Sequence, residues 1–192
     1  KQTITEIHIP LPADAKPIYN SPADSVYQTM LQNSDNFMAE QLLLVCSAIR
    51  FGVLNTDSVI NYSLKAYLTN LPDKPRWVDG SGLSRYNLVT PRDMVNLLMQ
   101  LPELKNEQAL RDMFPAGGVS GTLKEVYQTE NGQPFIWAKT GSVSNNYNQS
   151  GYLLTRKGKR LAFSFMNNNF NEPTATVRAE IARIMTSIHE NF

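Results

Sequence analysis

Phe135-Ile136-Trp137-Ala138-Lys139-Thr140-Gly141-Ser142 opens on residues suited to a strand and turns polar at Lys139. Gly151 to Thr155 and Arg160 to Asn167 have the same strand-like character, and Lys157-Gly158 joins them at a spacing suited to a tight hairpin. These three stretches predict an antiparallel sheet in the last third of the chain. Pro173 then opens a helix with Val177, Ile181, Ile184 and Ile188 on one face, long enough to lie across that sheet.

Upstream the pattern is helical. A first helix is expected from Asp24 to Gln32. After Ser34-Asp35-Asn36 a second carries Met38, Leu42, Val45 and Ile49, a stripe predicted to face a core, and Gly52 supplies a stop. Asp57 to Leu68 gives another helix, ended by Asn70 and Pro72. Residues 71 to 89 read as loop, including Asp79-Gly80-Ser81-Gly82-Leu83-Ser84-Arg85. Thr90 as N-cap, Pro91 in the first turn and Asp93 announce a further helix with Met94, Leu97, Leu98 and Leu101 as its apolar side. A Gly/Ser-rich region, Gly117 to Gly121, precedes a short helical piece around Leu123 to Tyr127. Residues 1 to 23 combine a strand-like run, Thr3 to Ile9, with Pro10, Pro12, Pro17 and Pro22, and read as a linker or crossing segment ahead of one domain at 24 to 192. Helices, then strands, then a closing helix indicate an α+β fold, not a doubly wound βαβ array.

Composition narrows the function. The 192 residues are 42% hydrophobic, enough for a real core. The longest wholly apolar run, Leu42 to Cys46, is far short of the roughly 20 residues of a membrane-spanning helix. Lys plus Arg number 18 against 17 Asp plus Glu without a like-charge block, so the footprint of a nucleic-acid binder is missing. The one cysteine, Cys46, lies in an apolar helical stretch and is expected to be buried packing. His8 and His189 have no metal-ligand spacing, so no metal site and no cofactor are expected. Arg156, Lys157, Lys159 and Arg160 cluster at the hairpin tip, where a solvated turn is the reading. Trp77 reads as an aromatic anchoring its loop to the core.

Two tripeptides carry the chemistry. Ser34-Asp35-Asn36 stands where one helix stops and the next starts, where side chains can enter a cleft from a rigid backbone. Taken alone it also reads as helix capping. Lys139-Thr140-Gly141 offers a fixed positive charge, a hydroxyl and a residue that lets another backbone come close. Alone, it too reads as a strand end running into a turn. Found together, the two are a signature of penicillin-binding proteins and class A β-lactamases.

With these motifs, the Gly80-Ser81-Gly82-Leu83-Ser84-Arg85 loop, the hairpin and the terminal helix, the chain from about residue 25 to 190 resembles the DacB-type D-alanyl-D-alanine carboxypeptidases, the class C low-molecular-mass penicillin-binding proteins. The resemblance implies a β-lactamase/transpeptidase-like fold and a serine acyl-transfer enzyme of the cell envelope. Its partners would be peptidoglycan stem peptides ending in D-Ala-D-Ala, and β-lactams. By the same resemblance Ser34 would relay a proton to the departing D-alanine, and Asn36 would bind the substrate amide. Lys139 would support Ser34 and, with Thr140, hold the terminal carboxylate. The Ser142 N–H would form half of an oxyanion hole, and the substrate would lie along the strand at Gly141.

One element of the pattern is missing. No serine or threonine has a lysine three positions later, and Ser120 to Lys124 is one residue too long, so the Ser-x-x-Lys nucleophile is absent. The chain starts at Lys1 without an initiator methionine or signal peptide and is read as processed or cut from something longer. The expectation is therefore the C-terminal part of the domain, inactive alone, whose nucleophile comes from the upstream half of the same protein. A non-catalytic wall-peptide or penicillin-binding module is the alternative. Strands absent from the sheet should leave an unpaired edge or an exposed apolar patch.

Overall fold

The computed structural model describes residues 21–192, so the predicted Thr3–Ile9 strand, the proline-rich stretch up to Pro17 and His8 lie outside the described residues. Five helices come first: α1 (Ala23–Asn33), α2 (Asn36–Phe51), α3 (Thr56–Ala66), α4 (Pro91–Leu104) and α5 (Glu107–Met113). A 3-10 turn at Gly121–Leu123 leads to strands β1 (Ile136–Val143), β2 (Asn146–Leu154) and β3 (Arg160–Asn168), and α6 (Thr174–Asn191) closes the chain. The α+β order is as expected.

The sheet is antiparallel in the order β1-β2-β3, with Lys139 opposite Ser150 and Ser150 opposite Ser164. The β2–β3 turn has Gly158 at φ 78°, a left-handed conformation that suits glycine, and the Thr155 hydroxyl accepts from the Lys159 amide at 3.0 Å. Cations at this tip are tethered: Arg160 pairs with Glu107, Arg156 with Glu190, and Lys157 donates to the Asn191 carbonyl. On one face of the sheet, Ile136, Ala138, Tyr147 and Leu153 pack with Ile181 and Met185 of α6 into a closed core. On the other, Trp137 packs with Leu98 of α4, Phe114 and Ala116. Thr90 caps α4 in a reciprocal box with Asp93, as its sequence predicts.

Four expectations need correction. The stripe Met38, Leu42, Val45, Ile49 does not face a core in this chain: Val45 is 49% and Ile49 82% exposed, with Met38 and Leu42 half-buried. Instead α2 turns its opposite side inward, burying Ser47, whose hydroxyl accepts from the Asn55 amide. Cys46 is consequently exposed rather than buried. Strand β2 starts at Asn146 rather than Gly151, because polar Asn146 to Ser150 pair on both sides within the sheet. Helix α5 has no counterpart in the expectations, and in place of a helical piece around Leu123 to Tyr127 there is a 3-10 turn at Gly121–Leu123 followed by turns, with Tyr127 at φ 64°. Among the described residues, the outer edge of β3 pairs with no strand.

Candidate active site

The Ser34-Asp35-Asn36 triplet divides its labour. Ser34 is the C-cap of α1 in a left-handed conformation, φ 53° and ψ 49°, uncommon for a non-glycine residue. Asp35 does the capping: its carboxylate accepts from the Met38 amide at 2.8 Å and starts α2. Asn36 is the first residue of α2 and is exposed at the cleft. The tight reversal between helices thus spends one side chain on capping and leaves those on either side of it for the cleft.

A short relay of contacts brings Ser34 to the sheet. Gln32, on the last turn of α1, donates to the Phe114 carbonyl at 2.8 Å. The α1 end also lies against Gly121, where an added Cβ would sit 2.5 Å from the Gln32 side-chain oxygen. The 114–117 segment in turn bonds β1, with the Ala138 amide on the Pro115 carbonyl and the Gly117 amide on the Ile136 carbonyl, both at 2.9 Å. The end of α1 is thereby fixed against the strand that carries Lys139.

Lys139 Nζ donates to Ser34 Oγ at 2.7 Å across 105 residues of sequence, and to the Thr140 carbonyl at 2.6 Å. Chance placement of the two tripeptides would leave these groups far apart. Because the amine donates, the Ser34 hydroxyl keeps its own proton for another acceptor. Burial holds the Lys139 amine below its ordinary value, since losing water disfavours the charged form. Thr140 reaches away from Lys139, donating to Thr122 Oγ1 at 2.9 Å. Gly141 and Ser142 follow on the exposed end of β1, and an added Cβ at Gly141 would meet nothing within 4 Å. Nothing among the described residues therefore demands glycine at 141.

These side chains line one cleft of about 820 Å³, shared with the 79–83 loop, Asn148 of β2 and apolar residues of α1, α3 and α4. The structure brings Ser34, Asn36, Lys139, Thr140, Gly141 and Ser142 to the same cavity. Among the described residues no cluster of His, Cys, Asp or Glu could hold a metal ion. Trp77 is half-buried at the cleft and donates to the Asp79 carbonyl at 2.6 Å within its own loop. Sequence reasoning missed Glu40 and Thr122. Glu40 carries a faint signal, one helical turn after Asn36 on the same side of α2, while Thr122 carries none.

The family model for D-Ala-D-Ala carboxypeptidase 3 (S13) matches residues 19–188. The chain belongs to this S13 family. The D-alanyl-D-alanine carboxypeptidase DacB of Haemophilus influenzae is 26% identical over 190 residues, covering 90% of this chain and 38% of the relative. The chain thus spans about two-fifths of that relative's length. In fold, it matches penicillin binding protein 4 (dacB) from Haemophilus influenzae with a TM-score of 0.75 at 24% identity, over 86% of this chain and 39% of the other. A TLA-1 extended spectrum β-lactamase gives 0.62 at 18% identity, over 86% of this chain and 62% of the other. The S13 member described here has the β-lactamase-like α+β fold, a helical region plus an antiparallel sheet covered by a terminal helix.

Proposed function

We propose that this chain forms the Ser-Asp-Asn and Lys-Thr-Gly part of a serine-type D-Ala-D-Ala carboxypeptidase, with endopeptidase activity toward D-amino-acid cross-links as a second use of the same cleft, that acts on peptidoglycan stem peptides outside the cytoplasmic membrane and is blocked by β-lactams. The observation that carries this reading is the 2.7 Å contact between Lys139 Nζ and Ser34 Oγ. Catalytic groups must come within such reach to share a proton. No Ser-x-x-Lys occurs in these 192 residues, so the nucleophile comes from another part of the intact protein, and this chain alone is inactive.

The chemistry follows from the cleft. The nucleophilic serine attacks the carbonyl carbon of the penultimate D-alanine, the C–N bond to the terminal D-alanine breaks, and water later hydrolyses the ester. Ser34 relays the proton: its hydroxyl takes up the proton released by the nucleophilic serine as it gives its own to the departing amine, and Lys139 supports the Ser34 oxygen electrostatically during the exchange. Asn36 binds the substrate amide, and Thr140 with Lys139 holds the terminal carboxylate. The substrate backbone lies along β1, where the open space at Gly141 admits it and the Ser142 N–H faces the developing oxyanion.

Labelling with a fluorescent penicillin, run on this chain and on the intact gene product and followed by mass spectrometry of the adduct, tests the reading. Acylation of the longer protein alone, at an upstream serine, is the expected result. No labelling of either would sink the enzyme reading and leave a binding module. Labelling of the 192-residue chain would place the nucleophile within it.

A further inference from the structure

Across the cleft from β1 stands the 79–88 loop, and one side chain of α2 holds it there. Glu40 Oε1 accepts from the amides of both Gly80 and Ser81, each at 3.0 Å. Gly80 is pressed so close to α2 that a Cβ there would lie 2.7 Å from the Ala39 carbonyl oxygen, so no side chain fits. Beyond this clamp Asp79 folds the loop on itself, accepting from the Gly82 amide at 2.6 Å and the Ser84 amide at 2.8 Å. At the far end the Arg85 guanidinium donates to the Ser144 carbonyl at 3.2 Å, in the turn after β1. The loop is therefore tied to the helical region at one end and to the sheet at the other.

Glu40 lies one helical turn after Asn36, so the helix that presents Asn36 to the cleft also sets the opposite wall. We infer that Glu40 is a positioning residue: its carboxylate fixes the 79–85 loop at the distance from Lys139–Ser142 that a peptide backbone lying along β1 requires. The inference rests on the cleft being the D-Ala-D-Ala peptide site. Glu40 touches no reacting atom and acts through the Gly80 and Ser81 amides. A carboxylate suits this task because it only accepts, and its charged hydrogen bonds are shorter and stronger than neutral ones. Glutamine keeps an accepting oxygen in the same place.

The test uses the full-length protein carrying Glu40→Ala, Glu40→Gln or Gly80→Ala, with hydrolysis of D-Ala-D-Ala peptides and hydrogen exchange of the 79–85 amides measured on each. Glu40→Ala is expected to speed exchange at Gly80 and Ser81 and to raise KM at least about tenfold, the scale of either one of the two charged hydrogen bonds it removes, while kcat changes far less. Glu40→Gln is expected to restore most of both. If Glu40→Ala does not fold, Gly80→Ala lifts the same segment off α2 and should raise KM alike. Faster exchange with an unchanged KM in an active protein overturns the positioning role alone. A wild-type protein that hydrolyses no such peptide overturns the reading of the cleft and this role together.

Discussion

The two halves that meet at the cleft are finished to different degrees. In the sheet half, β1 and β2 bury Ile136, Ala138, Tyr147 and Leu153 against Ile181 and Met185 of α6, with Ile136 and Ala138 at 0% exposure. In the helical half, α2 leaves Phe37, Val45 and Ile49 to solvent, and the following Val53 and Leu54 are exposed too. An apolar helix face normally packs on a core, yet the Val45–Ile49 face of α2 has no partner among the described residues. The polar side of α2 is the one turned inward, because Asn36, Glu40 and Ser47 serve the cleft, the loop and the α2–α3 turn. The core of the sheet half is closed within the described residues, and the helical half presents an apolar face that they do not cover.

The largest expected effect falls on the seam between the halves, since Ser34 comes from one and Lys139 from the other. In the full-length protein, Lys139→Ala should slow penicillin acylation by about 10²–10³, the range seen when one stabilising donor is removed from a transition state. Timed labelling measures it, and a loss under about threefold would reduce Lys139 to an ordinary strand end. Next in size is a stability contrast. Ile136→Ala in this chain should cost about 3 kcal/mol in urea unfolding, the usual toll of a buried large-to-small change. Ile49→Ala should cost less than about 0.5 kcal/mol, as exposed substitutions do. Equal costs would break the comparison by requiring a hidden partner for α2 within the chain. Replacing Val45 and Ile49 together by serine should also weaken concentration-dependent self-association in sedimentation velocity, because a contiguous apolar patch is removed.

What was legible in the sequence follows the same division. The β2–β3 hairpin around Gly158, the Thr90–Asp93 capping box and the Pro173 start of α6 depend on residues within a few positions, and the sequence pattern locates them. The outward stripe on α2 was misread because apolar spacing identifies a helix and an apolar face but says nothing of which partner is present. Cys46 went wrong with it. The polar first half of β2 hid its strand: Gln149 is buried with its side-chain oxygen accepting from the Tyr127 hydroxyl while its Nε2 finds no partner among the described residues, and Ser150 pairs its hydroxyl with that of Ser164, where an alternating apolar pattern would have marked a strand. Both tripeptides were visible as motifs, but the 2.7 Å contact between them, and the Glu40 hold on a loop some 40 residues away, are products of tertiary packing. No local pattern encodes them.

The smallest effect is a titration of the sheet half. Burial lowers the Lys139 amine from its ordinary 10.5 and raises the Tyr127 and Tyr147 phenols, as well as Tyr152, which reaches about 12. All four belong to the sheet half or pack on it. Between the lowered value and 10.5 the unfolded chain keeps the Lys139 proton that the folded chain has lost, so stability rises with pH through that window. For the tyrosines the order reverses: above 10 the unfolded chain gives up phenolic protons that the folded chain retains, and stability falls as pH rises. Urea unfolding across alkaline pH should therefore climb and then decline. In Lys139→Met the climb should vanish while the decline stays, because the methionine does not titrate and the tyrosines are untouched. A climb that survives in Lys139→Met would have to come from another group. A wild-type curve that falls steadily from neutral pH would mean that the Ser34 hydroxyl and the Thr140 carbonyl hold the lysine charge more firmly than burial opposes it.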